Sequence, residues 1–71
     1  MFNFATKTRA IHGFTVRNVP DSAMACRWMV TVVINYTEYW YYDADNDRDR
    51  INEIALDLRA DGRDVLVLPI D

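Results

Sequence analysis

Cys26 is the only cysteine of this chain and His12 its only histidine. One thiol can form no intrachain disulfide, and one thiol with one imidazole falls short of a structural zinc site. A single cysteine suits a reducing, cytoplasmic setting. Glycine is equally scarce, with Gly13 and Gly62 alone, too few for most phosphate-cradling loops, and Ser22, the one serine, stands in no nucleophile-elbow pattern. No cofactor, metal or enzymatic activity is expected on these grounds. Only two prolines occur, and 51% of the 71 residues are hydrophobic, which excludes a disordered or low-complexity chain. No apolar run reaches the roughly 20 residues that span a bilayer, and the opening MFNFATKTRA does not read as an export signal, so no membrane partner is expected. The basic surplus of a general nucleic-acid binder is also missing: 8 Lys and Arg stand against 11 Asp and Glu, a net charge of -3, and direct nucleic-acid binding is not expected. The length allows one domain, residues 1–71, with a core small enough to benefit from a partner.

Among the features present, the helix is the clearest. Ile51, Ile54, Ala55 and Leu58 recur at i, i+3, i+4 and i+7, one apolar stripe that predicts a helix over about 47–60. Asn46 is the expected N-cap, Asp47 and Asp49 favour the positive end of the helix dipole, and Gly62 is the expected C-terminal cap. Val65–Leu68 is a short apolar run and predicts a strand covered on both faces, ending at or near Pro69. Upstream, Cys26, Trp28, Val30, Val32, Ile34 and Tyr36 alternate with more polar positions and predict one long strand with a break or bulge near Asn35–Glu38. GFTVRNV reads as a further strand. PDSA reads as the turn of a long hairpin that would set Cys26 opposite about Arg17, with a short helix over DSAMACRWM as the competing reading. The segment before it is a first strand or extended arm, with Phe2 and Phe4 on one face.

These elements describe an α+β fold: a small, mostly antiparallel sheet of three or four strands, made of a long N-terminal hairpin and a C-terminal strand, with one amphipathic helix packed on one face in the order β-β-α-β. A 14-residue helix is about 21 Å long, whereas an unbroken strand from Cys26 to Tyr42 would run roughly 55 Å. Either that strand bends or another chain covers its end, and the apolar last strand asks for the same cover. A homodimer or an obligate partner is therefore expected.

The acidic stretch DADNDRDR places Asp43, Asp45 and Asp47 at the first three ligand offsets of an EF-hand calcium loop. The glycine position holds Arg48, the closing glutamate position holds Ile54, and a strand rather than a helix precedes it, so a capped helix start is the better reading. FTVRNVP is similar to one strand motif of RNA-recognition domains, but the aromatic partner strand is absent. His12 and Cys26 have no companions at catalytic or metal spacing.

The remaining oddity is aromatic. Five of the nine aromatic residues fall between Tyr36 and Tyr42, more than one small core can enclose, and Tyr and Trp are enriched in protein contacts. The functional expectation is a non-enzymatic protein-binding domain whose surface combines Tyr39, Trp40, Tyr41 and Tyr42 with the acids Asp43, Asp45, Asp47 and Asp49. Such a surface suits a basic groove on another protein. The specific form is a small acidic inhibitor of a nucleic-acid-handling host protein, of the kind bacteriophages or mobile elements direct against host defence. The alternative is an assembly protein that forms a homo-oligomer through its aromatic strand.

Overall fold

The computed structural model describes residues 5–71; Phe2 and Phe4 lie outside the described residues. The elements run β1 (Thr6–Ile11), β2 (Phe14–Pro20), a 3-10 helix (Asp21–Ala25), β3 (Trp28–Ile34), β4 (Glu38–Asp45), α1 (Arg48–Ala60) and β5 (Val65–Pro69). They form one sheet of order β1-β2-β4-β3-β5, antiparallel except for the parallel pair β2–β4. The α+β class, with one helix on a mostly antiparallel sheet, is as the sequence implies. The sheet is larger than expected, with five strands, and its order differs. No helix among the described residues is long and apolar enough to cross a membrane.

Two expectations about the strands need correction. The first concerns residues 26–42, which form two strands rather than one. Asn35 and Tyr36 take φ of 53° and 66°, and the Thr37 N–H donates to the Ile34 carbonyl at 3.2 Å. Two successive positive φ values are what a type I′ hairpin turn needs. Asn visits this region readily, whereas a tyrosine there costs about 1–2 kcal/mol. The break anticipated near Asn35–Glu38 is thus a full reversal, and the long strand never exists.

The second correction concerns the hairpin expected around PDSA. Asp21–Ala25 is helical, a shortened form of the competing reading, because Pro20 ends β2 without an N–H to donate and Ala23 and Met24 pack inward. Asp21 at its start is ion-paired to Arg9 of β1. The antiparallel partner of β2 is β1, through a turn at His12 and Gly13 with φ of 47° and 84°. Arg17 accordingly lies opposite Trp40, not Cys26.

The two sheet faces carry separate cores. On one, Ile51, Ala55 and Leu58 of α1 pack on Val30, Val32 and Val65; a fully buried Ile or Leu contributes about 1.5–3 kcal/mol. On the other, Met29 and Leu68 meet Ile11, Val16, Val19 and Ala23. Ile11 of β1 and Leu68 of β5 share that cluster although three strands lie between them in the sheet. The sheet therefore curls, and the β1–β2 hairpin folds over its inner face. His12 Nε2 meets the Asp71 carbonyl at 2.7 Å across the same closure. The last strand is an edge strand ending at Pro69 and is covered on both faces, as its apolar run implies. Both covers come from the chain itself, so neither strand length nor the β5 run now argues for a second chain.

Candidate functional site

Three structural devices sort the aromatic segment. The turn leaves Tyr36 outside. Along β4, alternation then sends Tyr39 and Tyr41 to the inner face, where they pack on the cluster of Ile11, Val16 and Met29. Tyr39 meets Phe14 edge-on, with ring centroids 5.1 Å apart. Burial pushes the Tyr41 phenol above its ordinary pKa, and Asp43 and Cys26 add to the effect. Trp40 points to the helix side. Its indole N–H donates to Glu38 Oε1 at 3.1 Å, and the Arg17 guanidinium stands 5.8 Å from the ring centre. The third device is a bulge. Thr31 faces Tyr41 while Val30 faces Asp43, so Tyr42 has no partner on β3 and is 49% exposed.

The acids have local structural roles. Asp47, not Asn46, is the N-cap: its Oδ1 accepts the Asp49 N–H at 3.0 Å. Asn46 Oδ1 instead accepts the Arg27 N–H at 3.0 Å and ties the helix start to the start of β3. Asp45 Oδ1 accepts the Asp47 N–H at 2.8 Å, turning the chain into the helix. Asp43 Oδ1 accepts the Ala44 N–H at 2.8 Å beside the bulge. Arg48 lies 4.9 Å from the Trp28 ring centre. Among the described residues no group of three or more His, Cys, Asp and Glu is placed to hold a metal ion.

Of the eight residues expected to form one surface, the structure brings together Tyr42 and Asp43 only. They line an open cleft of about 280 Å³ between β4 and α1, with Ile54 and Leu58 as its apolar part and Arg50, Asp57 and Asp61 around it. Tyr39 and Tyr41 are on the opposite face, Trp40 does not line the cleft, and Asp45, Asp47 and Asp49 belong to the helix start. Asp57 and Asp61 were not anticipated. They lie one helical turn apart, and Arg50 is two turns before Asp57, a shared face that the sequence does show. What it does not show is the bulge that turns Asp43 toward that face beside Tyr42. A second depression, about 380 Å³, lies between the β3–β4 turn and the turn joining α1 to β5.

Comparison with known proteins finds no matching family model, no matching curated protein and no matching solved structure.

Proposed function

We propose that this chain is a non-enzymatic protein-binding domain and that the cleft between β4 and α1 receives a basic side chain of its partner. The carrying observation is that the bulge brings Asp43 to the helix side beside Tyr42, where three carboxylates, Asp43, Asp57 and Asp61, outnumber the single guanidinium of Arg50. A lysine or arginine entering there gains an aromatic face and an ionic rim together. The setting is acidic as well: ten of the eleven acidic residues lie from Glu38 onward, in β4, α1, the connections beside α1 and the residue Asp71 after β5, against four of the eight basic ones. Surfaces built to hold a phosphate backbone are basic, and a carboxylate-lined protein competes for them on charge alone. An inhibitor of a cytoplasmic nucleic-acid-handling protein, of the phage or mobile-element anti-defence kind, is the form of partner-binding this geometry suits best. The non-enzymatic reading is supported by the scattered placement of the reactive side chains: His12 is engaged by the Asp71 carbonyl, and Cys26 Sγ lies 4.0 Å from the Ser22 carbonyl.

The test is capture by the tagged chain from host lysate, eluted by a salt gradient. Asp57→Lys with Asp61→Lys should cut recovery of the salt-eluted partner by more than about tenfold, while Glu53→Lys, outside the cleft, leaves it unchanged. Equal behaviour of the two variants refutes the cleft as the contact. Assembly through the aromatic strand is geometrically harder. The strand is already paired along one side by β3 and on the other by β2 at Tyr39 and Trp40, which leaves it no free edge there to offer a second copy.

A further inference from the structure

We propose that the β3–β4 turn is a self-association surface, with Tyr36 of each copy seated in the depression beside the other copy's turn. The starting point is a conflict between residue and conformation. Tyr36 is the second of two left-handed residues in a type I′ turn, the position where glycine is favoured. Among the described residues nothing offsets the strain. Tyr36 is 90% exposed, and its hydroxyl makes no hydrogen bond to the described residues. A glycine would serve the fold better, so the compensation for a tyrosine lies outside the monomer.

The surroundings say what the ring meets. Ile34 beside it is 42% exposed, and the far wall of the depression is Gly62, Arg63 and Asp64. That wall is held in place. Gly62 N–H donates to the Arg59 carbonyl at 2.9 Å and Arg63 N–H to the Leu58 carbonyl at 3.0 Å, the paired bonds of a Schellman cap. The Val33 N–H donates to the Asp64 carbonyl at 2.8 Å. Nothing lies within 4 Å of where a Cβ would stand on Gly62, so that wall borders open space.

Charge selects the occupant. Arg63 and Asp64 are adjacent, opposite in sign, and form no ion pair with the described residues. A uniformly basic or acidic partner would meet one of them with a like charge. A second copy related by a two-fold axis can set Arg63 against the second copy's Asp64 and Asp64 against its Arg63, so each charge is matched once, in two ion pairs. The seven residues of the depression are far fewer than the roughly 20–30 a side of standard interfaces, so the dimer is weak and depends on concentration. This inference does not rest on the acidic cleft, which uses different side chains.

Sedimentation equilibrium of the full chain from about 1 µM to about 1 mM tests it, a range that brackets weak dimers. The native chain should move from monomer to dimer mass across that range. Tyr36→Gly should raise the dissociation constant at least about tenfold, while the melting temperature of the dilute monomer rises by about 4–8 °C as the strain is removed. Arg63→Glu and Asp64→Lys should each weaken the dimer, and the two together should restore it. Monomer mass throughout, a dimer indifferent to Tyr36→Gly, or a double variant no better than the singles would each overturn the proposal.

Discussion

Tyr39 and Tyr42, three positions apart in one aromatic run, should respond oppositely to removal of their rings. Tyr39 packs on the inner core and meets Phe14 edge-on at 5.1 Å. Truncating a fully buried aromatic to alanine costs about 3–5 kcal/mol. Tyr39 is only partly buried, which brings Tyr39→Ala to about 2–3 kcal/mol, of which about 0.5–1.5 kcal/mol belongs to the Phe14 pair. A domain of this length has a total stability of about 4–11 kcal/mol, so the variant forfeits a large share of it. With a urea slope near 1 kcal/mol per molar for so small a protein, the unfolding midpoint should fall by about 2–3 M. Tyr42 has no cross-strand partner and is half exposed. Tyr42→Ala should therefore move the midpoint by less than about 1 M. The assay is equilibrium urea unfolding followed by far-ultraviolet circular dichroism, with a Phe14→Ala/Tyr39→Ala double-mutant cycle for the pair. Equal midpoint losses at the two tyrosines, or a cycle energy below about 0.3 kcal/mol, would refute the division of the run into inner and outer rings.

Two further outcomes follow from the helix start and from the inner phenol. Asp47→Ala should lower stability by about 1–2 kcal/mol through loss of the cap and the dipole interaction, more than Asn46→Ala in thermal unfolding; the reverse order would reinstate Asn46 as the cap. Tyr41 ionises above its ordinary pKa in the folded chain because burial, then Asp43 and Cys26, oppose the phenolate. Its folded pKa is raised, so its contribution is fully present below the unfolded pKa of about 10 and is lost as pH climbs through the folded value. Alkaline unfolding should be less steep in Tyr41→Phe than in the native chain, and identical profiles would count against the burial.

The helix and the last strand were legible because their signals are local. The stripe of Ile51, Ala55 and Leu58 is what α1 buries, and the VLVL run is read on both faces because α1 and the curled hairpin each claim alternate residues. The turn at Asn35–Tyr36 was half legible. The apolar alternation visibly fails at Glu38, and Asn35 is a residue that tolerates a left-handed backbone, but tyrosine in the usual glycine position disguised a reversal as a bulge. PDSA reads as a hairpin turn although it opens a 3-10 helix, because alternation from Cys26 onward says nothing about which strand lies alongside. Besides β1, the strand alongside β2 is β4, in a parallel pairing of Val16 with Tyr39 and Arg17 with Trp40, which bridges more than twenty residues and leaves no periodic trace. The cap falls one residue later than the sequence suggests for a similar reason. Asn46 and Asp47 are equally good caps in isolation, and the bond from Arg27, remote in sequence, commits Asn46 elsewhere.

The bulge at Tyr42 connects the fold to the proposed contact. If strict alternation continued from Tyr39 and Tyr41, the next inward position would be Asp43, and a carboxylate would enter an apolar cluster at a cost of several kcal/mol or through protonation. One extra residue changes that parity. Ala44 takes the inward position and packs against the inner core, while Asp43 emerges on the helix side, opposite Val30 and beside the cleft. The same insertion leaves Tyr42 without a ladder partner and half exposed. The core therefore requires the displacement that creates the surface: keeping Asp43 out of the interior is what brings an aromatic ring and a carboxylate together against Arg50, Asp57 and Asp61. An acidic run that first suggests a metal loop is in this sense divided by the fold. Asp45 and Asp47 shape the approach to the helix, and Asp43 alone is carried into the cleft.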